Sequence, residues 1–268
     1  MIDTINKTSN EYNNLPPIED SGLVVEGNKE PSKIYLTINA EGKFIRRVKG
    51  EQADEMLQRE QNNDWIVDPK TNITYDGFRI RTLGPNSKTP GGKVVEQIID
   101  RINEVEILNC FTEPGYNNVG VNMVVVLRNP KKPEAPHVYL SLKFFDGEKT
   151  EDYSGNFLER SPNLDVNKTV NMVPYNFEDK ENGKRRRGIT LYQDNVKIES
   201  AFGKDKGDKP MAKEHKIKGS SKVVWVWKEV GEFQEKLLKD FTEKLKNRSS
   251  NISKNNTMEF DEVESMPF

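Results

Sequence analysis

The stretch VGVNMVVVLRNPKKPEAPHVYLSLKFF, residues 119–145, decides the fold of this chain. Two apolar, β-branched runs, Val119 to Arg128 and Val138 to Phe145, are typical of β-strands. The segment between them, residues 129–136, contains three prolines and predicts a stiff turn. The stretch therefore predicts two consecutive strands at the centre of a β-rich domain.

The segments on either side extend this pattern. Val94 to Leu108 fits a helical stripe, but nearly all its apolar residues are β-branched, which favours one long strand. Lys149 to Arg160 predicts a short helix, and Lys168 to Phe177 and Gly188 to Gln193 predict two further strands. Three strands, a helix and two strands over residues 93–200 is the order of the OB-fold, a five-stranded Greek-key barrel.

The N-terminal third of the chain divides into two parts. Residues 1–31 are rich in Asn, Pro, Glu and Ser and predict a flexible arm. Residues 32–92 predict a small β-rich extension: a hairpin over Lys33 to Lys49, a polar helix over Glu51 to Gln61 and a strand within Ile73 to Leu83.

The C-terminal part predicts an amphipathic helix over Lys228 to Lys246, followed by a disordered linker and acidic tail over residues 247–268. The apolar face of the helix holds Phe233, Leu237, Leu238, Phe241 and Leu245. Such a helix either docks on the core or forms a homo-oligomer. The predicted fold is thus mainly β: a β-barrel with short helices, formed by an OB-fold core with its helix over residues 93–246, an N-terminal extension and a disordered acidic tail.

Composition argues against several classes of protein. The 268 residues include one cysteine, Cys110, and two histidines, so an internal disulfide and the usual zinc sites cannot form. Neither His137 nor His215 lies in a nucleophile motif, and we expect no enzyme activity, metal or cofactor. No apolar run approaches the length of a membrane helix and no secretory signal is present, so the expected location is cytoplasmic, with no membrane partner.

Charge is segregated along the chain. Residues 168–222 contain 14 Lys and Arg against 8 Asp and Glu, including the run Lys184 to Arg187. Residues 255–268 contain four acidic and no basic residues. A basic run is often only a solvated loop, but its combination with an acidic end favours a polyanion-binding surface.

A surface that holds single-stranded nucleic acid needs cations for phosphates and aromatic faces for bases. Strand alternation and the charged loop of residues 178–187 supply both. The candidate DNA-binding residues are Arg128, Tyr139, Lys143, Phe145, Tyr175, Phe177, Lys184, Arg185, Arg186, Arg187 and Tyr192. The alternative is that Phe145, Tyr175 and Phe177 belong to the core. Trp225 and Trp227 share one face of a short strand and form either a stacking surface or, as we favour, a cover for the terminal helix.

The last eleven residues, MEFDEVESMPF, combine acidic side chains with a terminal Met-Pro-Phe. This segment resembles the C-terminal tip of bacterial single-stranded DNA-binding proteins. The resemblance implies that it recruits replication and repair proteins and competes with DNA for the OB-fold groove. The residues that carry it are Asp261, Glu262, Glu264, Met266, Pro267 and Phe268. The alternative is an ordinary disordered acidic end.

The body resembles the third quarter of phage-encoded single-stranded DNA-binding proteins. The similar segments are GNFLERSPNLD at 155–165, VNMVPYNF at 170–177 and GITLYQD at 188–194. The bacterial proteins begin their OB-fold near the N-terminus, whereas here residues 1–92 precede it. The resemblance implies a phage protein of the bacterial host cytoplasm that coats single-stranded DNA without sequence specificity in DNA replication, recombination or repair.

Two other functions stay open. An OB-like barrel also suits an adaptor that binds another protein or polymer. A nuclease or recombinase subunit needs clustered carboxylates for metal ions. The densest candidates are Asp146, Glu148, Glu151 and Asp152. A loop between a strand and a helix explains these four residues equally well.

Overall fold

The computed structural model describes residues 33–263 except residues 75, 86, 88, 116–119, 146–151, 182, 204–205 and 217–222. The side chains of Phe145, Val223, Val224 and residues 249–263 also lie outside this description. The described strands are β1 Ile34–Ile38, β2 Phe44–Val48, β3 Phe78–Thr82, β4 Lys93–Ile99, β5 Ile102–Pro114, β6 Val121–Arg128, β7 Val138–Phe145, β8 Val170–Glu178, β9 Arg185–Gln193, β10 Val196–Ile198, β11 Lys213–Lys216 and β12 Val223–Val226. The helices are α1 Glu51–Gln61, α2 Asp152–Leu158 and α3 Lys228–Val263, with a 3-10 turn over Ser161–Asn163.

The protein is mainly β, as predicted, and ten of its described strands form one large mixed sheet. Its strand order is β10-β9-β8-β5-β6-β7-β1-β2-β4-β3, and β11 pairs separately with β12. Strand β7 pairs in parallel with β1, through Ile34 opposite Val138. No pairing of β7 with β9, which would close a barrel, occurs among the described strands.

The single long strand predicted over Val94 to Leu108 is wrong. Strand β4 ends at Ile99 and pairs with β2 and β3 of the N-terminal part, whereas β5 begins at Ile102 and pairs with β6 and β8. The break falls at Asp100 and Arg101, which are both exposed, and Asp100 is held by Lys43 at 2.7 Å. The long apolar run therefore serves two different parts of the sheet.

The N-terminal part has a small core of its own. The hairpin of β1 and β2 and the helix α1 form where the sequence predicts them. Val48, Phe78 and Val95 of the strands pack against Ala53 and Met56 of α1. This part abuts β8, because a Cβ added at Gly42 (φ +76°) would lie 2.5 Å from the backbone nitrogen of Asn176. Glycine leaves the space for this approach and tolerates the positive φ angle.

The main core joins the inner faces of β5 to β9 with α2 and α3. Leu237, Leu238, Phe241 and Leu245 of α3 are buried in it, so the amphipathic helix docks on the core, one of the two alternatives for it. The helix is longer than predicted: it runs beyond Lys246 to Val263, through the predicted linker. Residues 247–263 contain no glycine or proline that would end it. No helix in the described part of the chain is long and apolar enough to cross a membrane.

The single cysteine, Cys110 of β5, is fully buried, and this burial raises the pKa of its thiol above the ordinary value. In the unfolded chain the thiol ionises at about pH 8.5. Below that pH the thiol is protonated in both states. Above it only the unfolded chain loses the proton, so the free energy of unfolding falls as pH rises.

We therefore expect an alkaline loss of stability that depends on Cys110. Between pH 8 and pH 10 the free energy of unfolding in urea should fall by roughly 1–2 kcal/mol more in the natural chain than in Cys110→Ala. Lysines and tyrosines titrate in both proteins, so the difference between the two isolates the thiol. Equal pH dependence in the two proteins would contradict the prediction.

Candidate nucleic-acid interface

The hairpin of β8 and β9, with β10 at its edge, displays aromatic and basic side chains on one face. Antiparallel pairing sets Phe177 opposite Arg186, and Tyr192 opposite Lys197 of β10. Residues opposite each other share a face of the sheet. Tyr175 lies two residues from Phe177 and is therefore on the same face. We call these five residues the β8–β10 surface.

Tyr175 and Phe177 form an aromatic pair with ring centroids 5.7 Å apart. The Tyr175 hydroxyl lies 3.3 Å from the side-chain nitrogen of Asn156 in α2, and the ring extends across Gly188, where an added Cβ would lie 2.5 Å from that hydroxyl. Tyr175 is thus half-buried and fixed in place. Phe177 is 52% exposed, so its ring is available for stacking.

The basic run lies mostly in a strand, and the prediction of a loop for Arg185 to Arg187 is wrong. Arg185 donates to Asn176 at 2.9 Å, and Arg186 pairs with Asp179 at 2.8 Å, with 58% of the Arg186 side chain exposed. Arg187 is exposed on the opposite face from Arg186, and Lys184, just before β9, is exposed as well. Strand alternation therefore distributes the cations over both faces of the hairpin.

Tyr153 of α2 lies close to two of these cations. Burial raises the pKa of Tyr153 to about 12, while the charges of Arg187 and Arg185 act in the opposite direction. The Tyr153 hydroxyl is buried and has no hydrogen-bond partner among the described residues. The phenol therefore stays protonated beside the arginines at neutral pH.

The predicted residues of β6 and β7 form a second, separate group. Arg128 pairs with Glu106 at 2.5 Å, and Tyr139 packs against Tyr35 with centroids 5.2 Å apart. Lys143 is half-buried, and the side chain of Phe145 lies outside the described part. In the sheet order β5 and β6 separate β7 from β8, so this group does not join the β8–β10 surface. On the sheet face that carries Arg128, Tyr139 and Lys143, the residues between them, Val124 and Val126, are buried and cannot contact a ligand.

Two residues of β1 and its approach were not predicted as site residues. Tyr35 contacts Tyr139, and the Lys33 amine lies 5.6 Å from the Tyr139 ring centroid. Their alternation along β1 was visible in the sequence. Their position beside β7 depends on the parallel pairing of β1, which no local pattern indicates.

Several cations of the N-terminal part are engaged internally. Glu96 is buried and accepts hydrogen bonds from Arg79 at 2.9 Å and Arg81 at 2.8 Å. Arg46 donates to Gln97 at 3.0 Å. All three of these arginines are also partly buried, so they are less accessible to phosphate than the exposed arginines of β9.

The remaining predicted residues are only partly described. Asp261 and Glu262 lie in the last turns of α3, whereas Glu264, Met266, Pro267 and Phe268 lie outside the described residues. Of the four clustered carboxylates only Asp152, in the first turn of α2, is described. No group of three His, Cys, Asp or Glu side chains that could hold a metal occurs in the described part of the chain.

The β8–β10 surface thus places Tyr175, Phe177, Tyr192 and Arg186 on one face of the sheet, with Lys184, Arg185 and Arg187 at the same end of the hairpin as Phe177 and Arg186. It can offer ring faces to bases and guanidinium groups to phosphates. A scan against models of protein families and searches of curated proteins and of solved structures found no match to this chain.

Proposed function

We propose that this protein is a non-enzymatic single-stranded DNA-binding protein, which coats exposed strands without sequence specificity during replication or recombination. The observation that carries the proposal is the β8–β10 surface, where the exposed ring of Phe177 lies opposite Arg186. Aromatic stacking tolerates any base, and guanidinium groups bind any phosphate. Such a surface favours a single strand over a duplex, whose bases are already stacked on one another.

Support for an OB-fold core comes from the order of the strands. The order β9-β8-β5-β6-β7 is that of an OB-fold whose first to fifth strands are β5, β6, β7, β8 and β9, with α2 between the third and fourth. The edge of β9 is capped by α2, because the Ile189 amide donates to Asn156 at 2.9 Å. In this proposal β1 covers the second edge of β7, and the barrel stays partly open.

The proposed assignment also accounts for the position of the surface. OB-folds bind oligonucleotides through the face of the second and third strands and through the loop between the fourth and fifth. In this chain that loop joins β8 to β9, beside Phe177 and Arg186. The second group, with Arg128, Tyr139 and Lys143, lies on the second and third strands and would form a separate contact with the DNA strand.

We propose further that the acidic segment 258–268 binds replication or recombination proteins. Its support is the resemblance of its acidic residues and Met-Pro-Phe to the tip of bacterial single-stranded DNA-binding proteins. Because residues 255–268 hold four acidic and no basic residues, this segment also competes with DNA for cationic surface.

The test is a fluorescence-anisotropy titration with a mixed-sequence oligonucleotide, single-stranded and duplex, at two salt concentrations. We expect tighter binding of the single strand, weakened by salt because bound cations release counterions. A chain ending at Asn256 should bind DNA more tightly than the full chain. Equal binding of single strand and duplex by both proteins would refute the DNA-binding proposal and leave the adaptor as the better account. Unchanged affinity on truncation would refute the competition.

A further inference from the structure

A cavity of about 550 Å³ lies between α2, the start of α3 and the β11–β12 hairpin. Its walls include the rings of Trp225, Trp227 and Phe233 and the side chain of Met211. Trp225 is 56% exposed and Met211 76% exposed, so this wall is open to solvent and does not serve only as a cover for α3. The interpretation of Trp225 and Trp227 as a cover for the terminal helix therefore does not account for the exposed face of Trp225.

One polar group in the lining lacks a partner. Gln234 of α3 is 6% exposed, and its side-chain oxygen is buried with no hydrogen bond from the described residues. Its amide packs against Gly155 of α2, where an added Cβ would lie 2.4 Å from the amide nitrogen. Buried acceptors are nearly always satisfied in proteins, so this oxygen in the cavity lining lacks a donor, which a water molecule or an N–H of a bound ligand would supply.

One charged side chain in the cavity lining belongs to β9 and is adjacent in the chain to a residue of the β8–β10 surface. Arg187 lines the cavity and follows Arg186 in β9. It forms no ion pair with another described residue. Lys209 and Glu159 also line the cavity and form an ion pair at 2.8 Å, so their charges neutralise each other. The other charged residues of the lining are Arg187 and the exposed Asp152. A phosphate held by Arg187 would bring the attached nucleotide next to the tryptophans.

We propose that this cavity binds one base of the single strand, stacked against the tryptophan wall, with an N–H of its edge donated to Gln234. This inference rests on the proposed DNA-binding function and adds a second contact site to it. Every DNA base carries an N–H donor on its pairing edge, so the pocket accepts any base. An aromatic side chain of a peptide such as phenylalanine would fill the apolar wall but leave the Gln234 oxygen unpaired.

The chain has three tryptophans, and Trp65 packs against the separate N-terminal core. A Trp65→Phe protein therefore reports tryptophan emission from the cavity alone. We would titrate it with an oligonucleotide of about 8 nucleotides, and with the same backbone carrying abasic sites, while following anisotropy in parallel. The expected result is strong quenching by the oligonucleotide with bases and little quenching by the abasic one.

Two variants test the contacts. Gln234→Leu removes the acceptor but keeps the volume, and it should weaken binding of the oligonucleotide about 3–10-fold with no change for the abasic strand. Trp225→Ala should weaken binding of the same oligonucleotide about 10-fold. Because Trp225 is exposed, this variant is expected to fold even if Gln234→Leu does not. The matched control is Lys239→Ala, an exposed residue of the same helix, which should bind like the parent.

The outcomes separate the two proposals. Binding by anisotropy without quenching, and with parental affinity in both cavity variants, would overturn the base pocket and leave the proposed function standing. No binding of either strand by any protein would refute the proposed function and the pocket with it. Quenching by the abasic strand equal to that by the base-containing strand would also overturn the pocket.

Discussion

Replacing Arg185, Arg186 and Arg187 together by glutamine is expected to weaken binding of single-stranded DNA about 100-fold at low salt, if each arginine contacts one phosphate. All three side chains are exposed on β9. Each phosphate contact on a single strand contributes about 0.7 to the slope of log affinity against log salt. The slope should therefore become less steep by about 2, which a titration at several salt concentrations measures.

The control for the triple arginine variant removes three positive charges from the N-terminal part of the protein instead of from β9. Lys49, Arg59 and Lys70 are exposed cations of the N-terminal part, and their replacement by glutamine also removes three charges. We expect less than a threefold change in affinity for this control. Equal weakening by the two triple variants would mean that net charge alone, and not the β9 arginines, holds the strand.

Substitution of Phe177 alone distinguishes the contribution of base stacking to DNA binding from the contribution of charge. Loss of Arg186 would also remove its ion pair with Asp179, whereas Phe177 is 52% exposed and can be replaced with little effect on the core. Phe177→Ala should weaken binding about 10-fold while the salt slope stays as in the parent, because base stacking involves no counterion release. A change of slope in this variant would contradict a stacking role.

The sequence predicted those elements whose signals are local. The hairpin expected over Lys33 to Lys49 forms as β1 and β2, and the polar run Glu51 to Gln61 forms α1 as expected. Alternation also placed Tyr175 and Phe177 on one face, where their rings meet. These features depend only on neighbouring residues, so a single sequence is enough to find them.

The features that failed depend on distant partners. A β-branched run reads as one strand whether it pairs once or twice, so the change of partners at Asp100 leaves no mark in its periodicity. The ion pair between Arg128 and Glu106, which lies on the adjacent strand, also depends on strand pairing and leaves no mark in the local sequence. The helical continuation of α3 has another cause: residues 247–263 are polar, as in a linker, but contain no glycine or proline that would end the helix.

The base pocket was the least predictable feature. The pairing of β11 with β12 and the packing of α2 against α3 bring Trp225, Gly155 and Gln234 to one cavity from three separate parts of the chain. The sequence offered a stacking surface or a helix cover for the tryptophans. The unpaired oxygen of Gln234 becomes visible only when the packing of the neighbouring helix is known.

Helix α3 is part of the core, and its central anchor is expected to be essential for stability. Phe241 is 1% exposed and meets Phe157 of α2 edge to face, with ring centroids 5.7 Å apart. The next residue, Thr242, places its hydroxyl 3.0 Å from the carbonyl oxygen of Cys110 in β5. Phe241 therefore joins α3 to α2, while Thr242 ties the same turn of α3 to β5, which pairs with both β6 and β8.

Phe241→Ala should lower the free energy of unfolding by about 3–5 kcal/mol, because it removes a buried ring and leaves a cavity. For a chain of this size that corresponds to a fall of roughly 6–20 °C in Tm. Chemical denaturation followed by circular dichroism measures the loss, and Lys239→Ala on the exposed face should stay within about 0.5 kcal/mol of the parent. The thiol of Cys110 provides a second readout: its labelling in native buffer should become faster in Phe241→Ala, since opening at α3 exposes β5. If the variant lost less than about 1 kcal/mol and Cys110 stayed protected, α3 would be an appendage that the sheet does not need.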